Sequence, residues 1–288
     1  MVEKAIQDTW PSGVQSRKEK EVLGHVLHEF KMNGNPWRVC TSTCGVIMRP
    51  AWPHYEQNID SIRIVIKIIE NLSKINLRLV SGVNIKGHMD SLTGWPSTRS
   101  TLFFIEDSTS NSQFCSISLC KGNRLRLVDC KEETKNIQQV INRSGFNIKE
   151  VSEGAHHAKL KLDGSPFHSS WGPDAVATRQ LVSRIGEAMM QQGWALTGAI
   201  DIERWVDTKS TLLFRRCPPA KASIACICLT SDNQLRLVDF SPGDQVILKA
   251  CVKENYRPGV DGVDIGPLDP ESKGRSLIFD LIQFHSET

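Results

Sequence analysis

Long hydrophobic runs are missing from this chain. No apolar stretch approaches the roughly 20 residues that a membrane-spanning helix needs, so no membrane partner is expected. A charge surplus is missing too: 35 Lys and Arg against 32 Asp and Glu leave a formal +3, too little by itself to imply a nucleic-acid or membrane partner. The start, Met1-Val-Glu-Lys-Ala-Ile-Gln-Asp, has no apolar signal core, and secretion is not expected. Catalytic signatures are lacking as well. There is no Gly-x-Ser-x-Gly elbow, Walker loop, dinucleotide fingerprint or His-Glu-x-x-His, and Gly82-Val-Asn-Ile-Lys-Gly87 is not a phosphate loop. The reading therefore leans away from an enzyme, leaving open a site confined to one part of the chain or built at an interface.

Cysteine is not lacking, but its pattern excludes more than it suggests. The count of nine is odd, and Cys115, Cys226 and Cys228 stand among hydrophobes at strand-like positions. That suits reduced thiols packed as small apolar residues, and hence an intracellular, cytoplasmic protein. Cys40 and Cys44 have no second pair at zinc spacing, and His54 does not complete a tetrahedral set. Cys226 and Cys228 correspond to Ser116 and Ser118 in the other half of the chain, which argues against a shared metal role. No metal and no cofactor are expected.

What is present is repetition. Trp95-Pro-Ser-Thr-Arg-Ser-Thr-Leu-Phe-Phe104 returns as Trp205-Val-Asp-Thr-Lys-Ser-Thr-Leu-Leu-Phe214, with six of ten letters identical, and Leu125-Arg-Leu-Val-Asp129 returns unchanged as Leu235-Arg-Leu-Val-Asp239, both at an offset of 110. Two matches in one register mark a tandem duplication. The duplicated unit extends upstream. Phe30-Lys-Met-Asn-Gly-Asn-Pro-Trp37 resembles Leu160-Lys-Leu-Asp-Gly-Ser-Pro-Phe167, a strand running into a Gly-Pro turn, with the first copy holding the longer loop afterwards.

Ile62-Arg-Ile-Val-Ile-Lys-Ile68 alternates like a strand, but its counterpart within Ala175 to Met190 is rich in helix formers, with Val182, Ile185 and Met189 on one face. Both segments are expected to be helices, with Val65, Ile68 and Leu72 as the matching stripe. Gly193 and Asn76 stand where a left-handed residue ends each helix. Strands are expected at Leu77–Ile85 and Trp194–Ile202, Ser100–Ile105 and Ser210–Arg215, Phe114–Leu119 and Ile224–Leu229, and the two Leu-Arg-Leu-Val-Asp segments. A helix closes each copy, the second capped by Ser241 ahead of Pro242. Arg275–Leu281 reads as a lone strand after a Gly/Pro/Asp-rich loop, in the place that Leu160–Leu162 takes after the first closing helix.

The fold class expected is α+β: two tandem repeats, each an antiparallel meander-type sheet covered on one face by helices. Residues 1–29 form a polar lead-in, 30–157 the first repeat and 158–288 the second.

The function expected is that of a non-catalytic intracellular binding or scaffold protein, recognising a protein or small ligand through loop tryptophans and the groove between repeats. Trp52, Trp95, Trp171 and Trp205 stand in or beside loops, where exposed tryptophans serve as binding anchors and buried ones plug sheet ends. Arg99 and Lys209 in the repeated motif, beside Ser and Thr hydroxyls, offer a cation to a phosphate or carboxylate. Arg126 and Arg236 occupy the strand face opposite Leu125 and Leu127 and their counterparts, where each binds a ligand or bridges to an acidic neighbour. The alternative partner is a nucleic acid or another phosphate ligand held by these basic and aromatic residues.

Overall fold

In this computed structural model the described residues are 1–34, 36–37, 54–83, 101–107, 112–120, 122–168, 172–202, 210–230, 234–255, 260–266 and 276–281. They form α1 (Val2–Thr9), β1 (Val14–Val22), β2 (His25–Met32), α2 (His54–Ser73), β3 (Leu77–Val83), β4 (Thr101–Glu106), β5 (Phe114–Cys120), β6 (Arg124–Val128), α3 (Thr134–Arg143), β7 (Ile148–Glu153), β8 (His157–Leu162), α4 (Gly172–Gln191), β9 (Trp194–Ile200), β10 (Thr211–Arg216), β11 (Cys226–Thr230), β12 (Gln234–Val238), α5 (Pro242–Asn255), β13 (Val260–Gly266) and β14 (Ser276–Leu281). The protein is α+β, with helices and antiparallel sheets mixed along the chain.

Its centre is a six-stranded sheet in the order β7-β8-β6-β5-β10-β9. Alternation along each strand gives this sheet two apolar faces. On one, Cys115, Ile117, Leu125, Leu127, Leu160 and Phe214 pack against Ile137 and Ile141 of α3 and Leu181, Ile185 and Met189 of α4. On the other, Phe114, Val128 and Leu213 meet Ile59, Ile62, Val65, Ile66 and Ile69 of α2. The sheet is thus covered on both faces, where the sequence suggested one.

A third contact explains why α2 looked ambiguous. Its Ile64 packs with Ile6 and Trp10 around α1, and the β3–β4 pair adds Leu79, Leu102 and Phe104 to the α2 cluster. A helix buried on several sides carries apolar residues around most of its circumference, which blurs its period. The lead-in is accordingly structured: α1 seals α2, and the charged run Arg17–Glu21 lies in the β1–β2 hairpin.

The meander expectation fails at one joint. β5 does not pair with β4, its predecessor in the chain; it pairs with β6 and with β10, in a register that sets Leu212 opposite Ile117. Among the described residues β4 pairs with β3 alone. Chain neighbours usually pair because a short turn costs little. Here α2 puts its apolar side against both the β3–β4 pair and the β5–β6 face, and the edge of β5 goes to the hairpin that returns from α4.

Other expectations hold. Asn76 (φ +63°) and Gly193 (φ +83°) both adopt the left-handed conformation that ends a helix. A Cβ at Gly193 would stand 2.7 Å from the Cys217 carbonyl oxygen, so glycine is required there for space as well as for φ. The Asp244 N–H donates to Ser241 Oγ at 3.2 Å, the expected cap of α5. β8 lies beside β6 and β14 beside β12, the equivalent places read from the sequence. The loop before β14 contains a strand that the sequence hid: β13, rich in Gly and Asp, pairs with β14 across Val263 and Phe279.

Candidate functional site

A cleft of about 590 Å³ opens where α1 and α2 meet the six-stranded sheet. Arg63, Lys67 and Glu70 of α2, and Lys74 just past its end, lie three or four residues apart and so share one stripe, beside the apolar sides that grip the sheet and α1. Facing them are Phe114 at the start of β5, Asp129 just after β6, Glu132, and Trp194 at the start of β9.

The charges are anchored. Arg63 Nε donates to Asp129 Oδ1 at 3.2 Å and to Oδ2 at 3.4 Å. Lys67 Nζ donates to Glu70 Oε2 at 2.9 Å, and the other oxygen of Glu70 accepts the Phe114 N–H at 3.1 Å. Lys74 Nζ donates to Asn71 Oδ1 at 3.2 Å. Asp129 sits in the left-handed region at φ +56°, where a short polar side chain is tolerated, and its own N–H donates to the His156 carbonyl at 2.9 Å. Burial pushes the Asp129 carboxyl above its usual value, with Arg63 and then His156 opposing that shift.

Trp194 forms one wall. Its Nε1 donates to Glu133 Oε1 at 3.4 Å, and the Arg216 guanidinium stands 4.8 Å from the ring centroid, a cation–π distance. Burial raises the Glu133 carboxyl, and the bond from Trp194 works against it.

The framework of this junction recurs further along the chain. Glu187 Oε1 accepts the Ile224 N–H at 2.8 Å, as Glu70 accepts that of Phe114. Gln180 Nε2 donates to Asp239 Oδ1 at 2.7 Å, as Arg63 does to Asp129. Asp239 shares the left-handed backbone at φ +62°. The charge recurs only in part: Gln180 replaces Arg63 and Gln191 replaces Lys74, while Arg184, which replaces Lys67, keeps the cation and donates to Ser144 Oγ at 3.3 Å. The cationic stripe belongs to the first junction.

Of the residues singled out from the sequence, Trp52, Trp95, Arg99, Trp171, Trp205 and Lys209 lie outside the described residues. Arg126 and Arg236 are described and buried, at 4% and 8% exposure. Arg126 lies opposite Ser118 and Lys159 on the sheet face that α2 covers, and Arg236 lies opposite Cys228. Trp10 is a core plug whose Nε1 donates to the Asn33 carbonyl at 2.8 Å, and Trp37 is half-buried against α2. The cleft residues escaped the sequence reading. Glu70 and Glu187 carried a usable signal, the same letter at the helix offset of 117; Arg63 and Gln180 carried none. Among the described residues no group of three or more His, Cys, Asp and Glu could hold a metal ion, and no helix is long and apolar enough to cross a membrane.

One domain-family model matches the chain twice, over residues 1–105 and 113–215. The chain belongs to that family and carries two copies of its domain. No curated protein and no solved structure matches it. The second match coincides with the six-stranded sheet and its two helices, from β5 to β10. The first spans α1 to β4. The cleft therefore takes Thr9, Arg63, Lys67, Glu70 and Lys74 from one copy and its remaining walls from residues 112–194, almost all within the other.

Proposed function

We propose that this is a non-catalytic binding or scaffold protein of the cell interior, and that its ligand docks in the cleft at the junction of the two domain copies. The observation that supports this reading most is the composition of the cleft: each copy supplies about half of it, and its charges are fixed in place by hydrogen bonds. Both cations and carboxylates line it. A site of that kind suits a ligand that itself carries both signs, such as a segment of another protein. Trp52, Trp95, Trp171 and Trp205, with Arg99 and Lys209, are the further contacts in this proposal. Buried Arg126 and Arg236 act in it as supports for the sheet and not as contacts.

The second reading, a nucleic acid or other phosphate ligand, is favoured by the stripe of Arg63 and Lys67 on α2 and Lys74 just past its end. The two are separated by reversing charge in the cleft. Affinity capture from the native source is run with the full chain and with a Lys67→Glu/Lys74→Glu variant. A cleft-bound protein partner is lost from the variant and kept by Lys18→Glu, a change on the exposed β1 strand. Equal capture by all three would reject the cleft. Oligonucleotide binding at low salt that weakens steeply as salt rises would select the second reading.

A further inference from the structure

Two thiols stand side by side on β11. Cys226 and Cys228 are two residues apart on one strand, so both side chains leave the same face, and their Sγ atoms are 3.8 Å apart. Both are partly buried, while Ile227 and Leu229 between and beyond them point outward and are well exposed. In the complete domain copy the equivalent positions of β5 are Ser116 and Ser118, and Ser118 is engaged by Thr211 of β10, with the hydroxyl oxygens 2.9 Å apart. β11 has no β10-like neighbour among the described residues: it is the edge of its four-stranded sheet and pairs with β12 alone. Beyond both family matches, β11 thus carries a dithiol on an edge at the positions where residues 113–215 have two serines under a neighbouring strand.

The surroundings select one of the two sulfurs. Arg236 of β12 lies directly opposite Cys228 in the register and is itself buried, with its Nε making no hydrogen bond. Arg179 of α4 reaches Cys228 from the packed face, and Asp239, beyond the end of β12, acts on Cys226. The carboxylate near one thiol and two guanidiniums near the other polarise the pair in one direction. The hydrogen bond from Cys226, followed by the charges of Arg179 and Arg236, brings Cys228 down to about 6 against the effect of burial. Cys226 is pushed up, by its bond to Cys228 and by burial.

We propose that Cys226 and Cys228 form a peroxide-reactive dithiol, in which Cys228 is the attacking sulfur and Cys226 the resolving one. The Cys228 thiolate attacks one oxygen of a hydroperoxide. The O–O bond breaks, Cys228 becomes a sulfenic acid, and the second oxygen leaves as hydroxide or alkoxide, taking up a proton from water. Cys226 then attacks the sulfenic sulfur, the S–O bond breaks, and the Cys226 proton and the departing hydroxyl leave as water, giving a 226–228 disulfide. Arg179 and Arg236 hold the negative charge on Cys228 before the attack. Cα atoms, and with them the same-face Cβ atoms, two residues apart on a strand are about 6.6 Å apart, beyond the Cβ separation of about 3.5–4.5 Å that a disulfide takes, so the edge strand bends to close the bond and the strained oxidised form is readily returned to the dithiol by a small thiol.

The test uses the full chain and two readouts. Iodoacetamide labelling at pH 6, followed by peptide mass spectrometry, is expected to modify Cys228 about tenfold faster than exposed Cys251. That ratio reflects the thiolate that the guanidiniums of Arg179 and Arg236 favour at Cys228, offset by the weaker nucleophilicity of a low-pKa sulfur. Arg179→Met and Arg236→Met each move the labelling profile to higher pH, which a merely structural arginine would not do. Hydrogen peroxide then gives the 226–228 disulfide in the unmodified chain, a dimedone-trapped sulfenic acid at Cys228 in Cys226→Ser, and neither product in Cys228→Ser. Labelling of Cys228 no faster than Cys251, or peroxide treatment that leaves both thiols free in the unmodified chain, would overturn the proposal.

Discussion

Ile137→Ala is expected to lower the unfolding free energy by about 2–5 kcal/mol, the range for truncating a fully buried isoleucine. Ile247→Ala is expected to change it by less than about 0.5 kcal/mol, as at ordinary surface sites. The contrast is informative because the two residues are equivalent in the repeat, 110 positions apart in the closing helices α3 and α5. Ile137 is wholly buried, in the cluster that α3 and α4 make on the six-stranded sheet. Ile247 is 64% exposed. Within the complete copy α3 has both the sheet and α4 to pack against. The described elements after β12 are α5, β13 and β14, and α5 has no buried residue. Chemical denaturation of the two variants beside the unmodified chain measures the difference directly. Equal losses would mean that α5 is packed as α3 is.

Trp194→Ala is expected to cost about 3–5 kcal/mol, and Trp194→Phe about 1–3 kcal/mol, because the ring is kept but Glu133 loses its donor. Trp194 is 4% exposed and belongs to the same core as Ile137. It begins β9, its indole N–H meets Glu133, and its ring faces Arg216. One side chain thus ties the α3 entrance to both strands of the β9–β10 hairpin and closes the cleft. Urea titration of the folded variants reads both losses. A Phe variant as unstable as the Ala variant would show that the polar bond carries the effect and the packing does not.

The duplication, the α+β class and the residues that end each long helix were legible because they depend on letters and local geometry. Asn76 and Gly193 are tolerated at positive φ by their own chemistry. Strand partners were not legible in the same way. The sequence shows that β4 resembles β10, but the choice of β10 for the edge of β5 is made by tertiary packing, with α2 lying across β5 and β6. β13 escaped because Gly and Asp are poor strand formers; its ladder to β14 holds it extended. The cleft was hidden for a related reason. Arg63 and Asp129 are 66 residues apart, and Arg63 stands inside a stretch whose pattern is dominated by isoleucines.

The central claim, that the complete domain copy closes its sheet by pairing β5 with β10, is tested most directly by a disulfide across that joint. Ser118 and Thr211 face each other in the β5–β10 register with their side-chain oxygens 2.9 Å apart, close enough for cysteines to bridge. Ser118→Cys/Thr211→Cys is predicted to form that bond on mild oxidation, with the bridge located by peptide mass spectrometry. Failure of that pair to close, with Ser118→Cys/Thr101→Cys closing readily, would place β4 beside β5 and contradict the account.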